Sequence, residues 1–203
     1  MANVAGYFGF QQWGTNSGPV NFAEQGNFPY RISSSGGAIY FGDAVRFAAS
    51  NTGYIVQWAN GDGAAQKPLV GIFLGCKYFS TGQQKTVWRN YWPGSDATGD
   101  VEAFVCDDPA SLWKVQANAG PINQTNLGET VDIASTPSGN TTTGISGMSL
   151  STPSNSAATT LPFKIVSMIT TPPGANGTDI TTASNYVIVC FNNQIYKNLN
   201  PNN

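Results

Sequence analysis

The stretch PLVGIFLGCKYFSTGQQKTVWRNYWPGS, Pro68 to Ser95, sets two apolar runs on either side of a short polar turn. Leu69 to Phe79 and Lys85 to Trp92 have the length and composition of strands, and Ser80 to Gln84 carry turn residues, so the stretch predicts a β-hairpin. Apolar side chains fall at both odd and even positions of the outgoing run. A strand solvated on one face would alternate instead, so neither face of this hairpin reads as open to water. The return run is crowded with Trp88, Tyr91 and Trp92. Large aromatics have three physical uses here: filling a core, anchoring a contact with another protein chain, or stacking flat on a sugar. Period and composition leave all three open.

Outward from the hairpin the same grammar recurs. AIYFGDAVRF reads as a strand broken by a Gly42-Asp43 turn, and GYIVQWA, VEAFVC, LWKVQA, LPFKIVSMIT and YVIVCFNNQIY add further short strands. In ETVDIA the two-residue period puts Val131 and Ile133 on one face. No capped segment with a helical period occurs beyond one possible turn at Asp108 to Trp113, and no repeat of about 20 to 50 residues is present. The expected fold is all-β: a β-barrel or β-sandwich body over residues 33–203, as one unit or two β subdomains, with long ordered loops in a Gly/Ser/Thr/Asn-rich insertion at 118–160. Residues 1–32 are punctuated by Gly and Pro and predict an extended N-terminal arm. Its aromatics (Tyr7, Phe8, Phe10, Trp13, Phe22, Phe28, Tyr30) are too many for a free tail. They need a floor, either the body of this chain or a neighbouring subunit; composition leaves that choice open, and the hairpin aromatics are the first floor expected. Tyr7, Phe8, Phe10, Trp13, Trp88, Tyr91 and Trp92 are therefore the predicted interface set.

Composition bounds the chemistry. Charged residues are 10% of the 203, against roughly 25% in an average domain, so the exterior must be built from uncharged polar groups. A formal charge of -2 supplies no field to gather phosphate backbones or anionic lipid, which argues against nucleic acid and membrane partners. No apolar stretch approaches the roughly 18 residues of a membrane-spanning helix. MANVAGYFGF lacks the basic and apolar regions of a secretory signal, so folding in a cytoplasm is expected. Histidine is absent, which removes the commonest general base, zinc ligand and nucleophile activator. Glu102, Asp107 and Asp108 offer carboxylates for glycoside hydrolysis or for calcium, but Asp-Asp-Pro is first a turn signature. The GDG at 61–63 and GNTTTG at 139–144 lack the Lys-Ser/Thr ending of a phosphate loop and read as turns. NQT at Asn123, NTT at Asn140 and NGT at Asn176 match the glycosylation acceptor, yet no signal sends the chain to that machinery. Cys76, Cys106 and Cys190 each sit in an apolar run and are expected as buried, unpaired strand thiols. Neither an enzyme nor a cofactor is expected.

The order of the motifs carries one further indication. GYFGF, PYRI, AIYFGDAVRF, PLVGIFLGCKYF, RNYWP, VEAFVCDDPASLWKVQA, GNTTTGISGMSL, LPFKIV and VIVCFNNQIYK, taken together over nearly the whole chain, resemble a family of tailed-bacteriophage head structural proteins, the decoration or cement proteins. The resemblance implies a non-enzymatic protein on the outer surface of the phage head that binds assembled major capsid protein and stabilises the shell. It implies a homo-oligomer, a trimer before a dimer, and it carries over no catalytic residue. A carbohydrate- or receptor-binding module of a head fibre or spike is the alternative.

Overall fold

The computed structural model describes residues 3–15, 29–48, 53–62, 67–118, 120–134, 139–151, 159–170 and 179–197. Phe22, Phe28, Gly63, Asn176 and the loop 171–178 lie outside them. Among the described residues eleven strands run in chain order: β1 (Gln11–Thr15), β2 (Tyr30–Ile32), β3 (Ala44–Phe47), β4 (Ile55–Gln57), β5 (Leu69–Ser80), β6 (Lys85–Arg89), β7 (Val101–Cys106), β8 (Ser111–Gln116), β9 (Thr130–Val131), β10 (Phe163–Met168) and β11 (Tyr186–Phe191). A 3-10 turn at Gln124–Asn126, capped by Asn123, is the one helical element among the described residues. The fold is all-β, as expected, in two antiparallel sheets. The first runs β1-β8-β11-β10-β9; the second runs β2-β7-β5-β3-β4, with β6 joined to β5 beside β3. The Asp107–Ala110 turn passes the chain from one sheet to the other. Asp108 holds that turn with its carboxylate on the Ala110 N–H (2.9 Å) and its carbonyl on the Ser111 N–H (3.1 Å).

Two apolar cores result, and the second sheet belongs to both. Trp113, Val115, Phe163, Ile165, Val187, Val189 and Phe191 of the first sheet meet Ala44, Leu69, Ile72 and Cys106 of the second. The neighbours of these last residues along the same strands, Val45, Val70, Phe73 and Val105, point the other way into a second core with Cys76, Tyr78, Val87, Val101 and Ala103. Ile39 and Trp92 close that second core. They exchange backbone hydrogen bonds of 2.9 and 2.7 Å, and the Trp92 indole N–H donates to the Gly36 carbonyl (3.2 Å). All three cysteines are unpaired and buried. Burial raises the Cys76 thiol to about 12.

Strand β5 keeps both faces fed by breaking its alternation twice. Val45 pairs Gly71 while Arg46 pairs Leu69, and Phe73 pairs Val105 while Gly75 pairs Phe104, so one extra residue is accommodated at each place. The shifts return Ile72 to the face of Leu69, and Cys76 to the face of Phe73, three residues on. Gly71 is required at the first, because a Cβ there would lie 2.2 Å from the Cys106 carbonyl oxygen.

Of the two floors open to the expected arm, its described residues take the body of their own chain. Residues 3–15 lie along this protein's own first sheet, and residues 30–32 form an edge strand of the second. The Asn3 side chain is latched to the Asp179 (2.7 Å) and Ala183 (3.0 Å) carbonyls, and Gly6 N–H donates to Gln116 Oε1 (2.9 Å). Phe10 N–H donates to the Gly42 carbonyl (2.9 Å), and its ring stacks on Phe163 at 4.4 Å in the main core. Beyond it β1 pairs with β8, with a register shift between Gln12 and Gly14. An edge strand held by one neighbour needs little alternation of its own, which is why no strand period shows in QQWGT. The 118–160 stretch likewise does more than cover the surface. Ile122, Val131, Ile133, Met148 and Leu150 all enter the main core.

Gly42-Asp43 is the joint between these parts. Buried Asp43 accepts from Tyr40 N–H (2.8 Å) and Gln57 Nε2 (2.7 Å), while its carbonyl accepts from Phe73 N–H (2.8 Å). Burial outweighs these hydrogen bonds and raises its carboxyl to about 6.

Two outcomes are expected. Phe10→Ala should cost about 3 to 5 kcal/mol, read as a lowered urea midpoint, because it opens a cavity in the main core. Asp43 binds its proton more tightly folded than unfolded, so its contribution falls as pH rises from about 4 to about 6. Urea midpoints measured across that window should decline less in Asp43→Asn than in the wild type.

Candidate functional site

The seven predicted interface residues part company. Phe10 and Trp92 are fully buried, one in each core. Trp92 meets Tyr78 edge-on at 5.0 Å. Tyr7 donates to Asn118 Oδ1 (2.8 Å), and Phe8 packs edge-on against Tyr186 at 5.5 Å with the Lys114 ammonium 5.6 Å from its ring. Tyr91 stacks on Tyr40 at 5.7 Å. Only Trp13 and Trp88 of the set are exposed. The arm therefore does not dock on the hairpin: its aromatics find Phe163 and Tyr186 on the first sheet, while Tyr40, Tyr78 and Phe104 pair with those of the hairpin. Phe10 and Trp92 serve the fold and leave the interface set.

Trp88 is 67% exposed and anchors the best-defined surface feature. Cross-strand registers line up Trp88 of β6, Lys77 of β5, Glu102 of β7 and Arg31 of β2 in one row. Across β5 the Trp88 indole lies parallel to the Phe104 ring, 5.4 Å between centroids and 2° between planes. Gly75, paired with Phe104, sets no side chain between them; a Cβ there would press on the Arg89 carbonyl at 2.9 Å. The Lys77 ammonium sits 5.1 Å from the indole centroid and 3.5 Å from the Glu102 carboxylate. That ion pair is half-exposed and contributes little to stability, but it fixes two opposite charges beside a flat ring. Phe79, two residues beyond Lys77 on the same face, is 45% exposed.

The end of the hairpin is braced from outside. Asp96 accepts from the Gly82 N–H (2.9 Å), the Ser80 hydroxyl (2.7 Å) and the Thr81 hydroxyl (3.0 Å). Those bonds, the Gly82 N–H foremost, hold its carboxyl down at about 2. The strip is thereby carried on a pinned hairpin.

The carboxylates considered for catalysis have structural occupations. Glu102 faces Lys77, Asp108 caps its turn, and Asp107 accepts from the Tyr30 hydroxyl at 2.6 Å, with the Tyr196 hydroxyl 3.0 Å beyond. Asp62 of the GDG segment is bonded by Arg46 and by Lys67 (2.8 Å). Asn140 folds GNTTTG into a turn, accepting from Thr142 N–H at 2.8 Å. Among the described residues no three His, Cys, Asp or Glu side chains gather as metal ligands, and no helix is long and apolar enough to cross a membrane. What the Trp88 strip offers is contact: a flat apolar platform rimmed by a fixed ion pair. Phe79, Lys77 and Phe104 belong to it and were not singled out from sequence. Their signal was the two-residue period linking Lys77 to Phe79 and Glu102 to Phe104.

The two tryptophans of the hairpin should separate cleanly by denaturation. Trp88→Ala should cost about 1 kcal/mol, the worth of one aromatic stack, whereas Trp92→Ala should cost about 3 to 5 kcal/mol. No family model, no curated protein and no solved structure matches this chain.

Proposed function

We propose that the protein is a tailed-phage head decoration protein that binds the outside of the assembled capsid shell and stabilises it without catalysis. The observation that carries this reading is the Trp88–Phe104 platform with Phe79, a pinned aromatic surface that none of the described residues covers. Exposed aromatics that become desolvated on binding are the usual anchors of protein contacts. The resemblance of the ordered motifs supplies the partner, assembled major capsid protein. A ligand that binds the shell and not its free subunits shifts the balance toward assembly, and a few kcal/mol per contact is multiplied over many copies.

A second reading has its own support. A tryptophan held flat beside charged hydrogen-bonding groups also suits a pyranose ring, so a carbohydrate- or receptor-binding module remains the competing function.

Co-sedimentation with expanded shells of the cognate phage tests the first reading. The wild type should pellet with shells and stay in solution with free capsid subunits. Trp88→Ala should weaken shell binding by about 2 kcal/mol, roughly thirtyfold. Unchanged occupancy in that variant would remove the platform from the interface. Retention on a polysaccharide column, lost in Trp88→Ala and paired with no shell binding, would decide for the second reading.

A further inference from the structure

We infer that the outer edge of β6 is a strand-docking site for an extended acidic segment of a partner protein. This deepens the capsid-binding reading, on which the identification of the partner as a protein rests. Among the described residues β6 pairs with β5 alone. In an antiparallel pair every second residue turns its N–H and C=O away from the neighbouring strand. Among the described residues no backbone group of 85–89 meets backbone outside that pair. The open edge has defined ends. Gln84 turns it at one end with a φ of 52°, and at the other the Asn90 side chain reaches away to the Thr143 carbonyl (2.9 Å). Five residues of template lie between.

Charge selects the occupant. Lys85 and Arg89 lie on the face of β6 shared by Val87, and neither is ion-paired among the described residues. The Arg89 guanidinium rests near the Tyr78 and Tyr91 rings, at 6.0 and 5.9 Å, so it is positioned as well as charged. A second copy of this chain is a poor occupant. The symmetric register that pairs all of β6 sets Lys85 against Arg89 of the other copy, twice, and like charges directly opposite destabilise a sheet.

An incoming antiparallel strand would place its residues in a fixed order. The residue opposite Arg89 is acidic, the next, opposite Trp88, is aromatic or apolar, and the acid opposite Lys85 comes three further on. The Trp88 side chain, on the other face, then contacts that apolar residue while the two acids meet the cations. The recognised pattern is acid, apolar, any, any, acid.

The probe is the peptide acetyl-Thr-Glu-Tyr-Thr-Val-Glu-Thr-amide, with a control in which both Glu are Lys, titrated into the full-length protein. The Glu peptide should slow hydrogen exchange at β6 amides and bind about tenfold tighter than the Lys peptide. The double variant Lys85→Glu/Arg89→Glu should reverse that preference, which a merely misfolded protein would not do. Lys85→Glu alone, at an exposed position, should abolish it. Equal affinity for both peptides, or no slowed exchange at the peptide's solubility limit, overturns the inference. So does a concentration-dependent dimer that protects the same amides without peptide. No shells enter this experiment, so it stands or fails separately from co-sedimentation.

Discussion

Everything in this molecule is arranged around a single strand buried on both sides. β5 is twelve residues long, and its side chains feed the main core through Leu69 and Ile72 and the second core through Val70, Phe73, Cys76 and Tyr78. A strict alternation could not place Leu69 and Ile72 together, nor Phe73 and Cys76, because each pair is separated by an odd number of steps. The two irregularities near Gly71 and Gly75 solve that. Gly71 also lets β7 approach so closely that any side chain would strike the Cys106 carbonyl. Fully burying one large aliphatic or aromatic side chain contributes about 1.5 to 3 kcal/mol. A strand with most of its length so buried sets the position of every neighbour it pairs with.

A sheet used on both faces needs two covers, and the chain supplies them differently. The first sheet covers one side as a regular layer. The other side is closed by irregular backbone, residues 33–41 and 90–97, whose polar groups must still be satisfied. The Ile39–Trp92 pair of hydrogen bonds and the indole-to-Gly36 bond do this at the centre. Asp43 does it at the margin, and its buried charge is the cost of turning the chain there. The N-terminal segment is tied into the same joint through the Phe10 N–H and the Gly42 carbonyl, so it belongs to the body of the fold.

How much of this was legible in the sequence follows from what period and composition can encode. Strand identity was legible, and so was the hairpin, but the expectation that neither of its faces meets water holds only for the first part of β5, because Phe79 and Trp88 are exposed. The face shared by Val131 and Ile133, the buried cysteines, and the turn at Asp108 could be read as well. Each is a local property. What could not be read is which of two faces finds a cover. Val87 and Trp88 are adjacent and point opposite ways; Val87 is buried and Trp88 exposed. The reason is long-range, since Trp92 and Ile39 fold over one face only. The floor for the N-terminal aromatics was misplaced for the same reason. The hairpin rings were already paired, Trp92 with the hairpin's own Tyr78, and Tyr91 and Trp88 with Tyr40 and Phe104 from outside it. The site residues Phe79 and Phe104 looked like ordinary strand positions, because only the lack of a cover distinguishes them.

A low-charge exterior gives special meaning to the few charges it has. With charged residues only 10% of the chain, repulsion cannot be what keeps strand edges from pairing at random. Local devices must do it. At β6 the device is a cation at each end, Lys85 and Arg89, which opposes full-length pairing of the edge with its own copy. The same two charges that guard the edge against self-association make it selective for acid. Protection and recognition are then one property of five residues, and the exposed indole of Trp88, next to Arg89, supplies the apolar contact that charge alone would lack. An edge left unguarded would have joined copies of the protein to one another; an edge guarded by carboxylates would have called for a basic partner. The sign of the charge at β6 thus decides which strands the open edge admits.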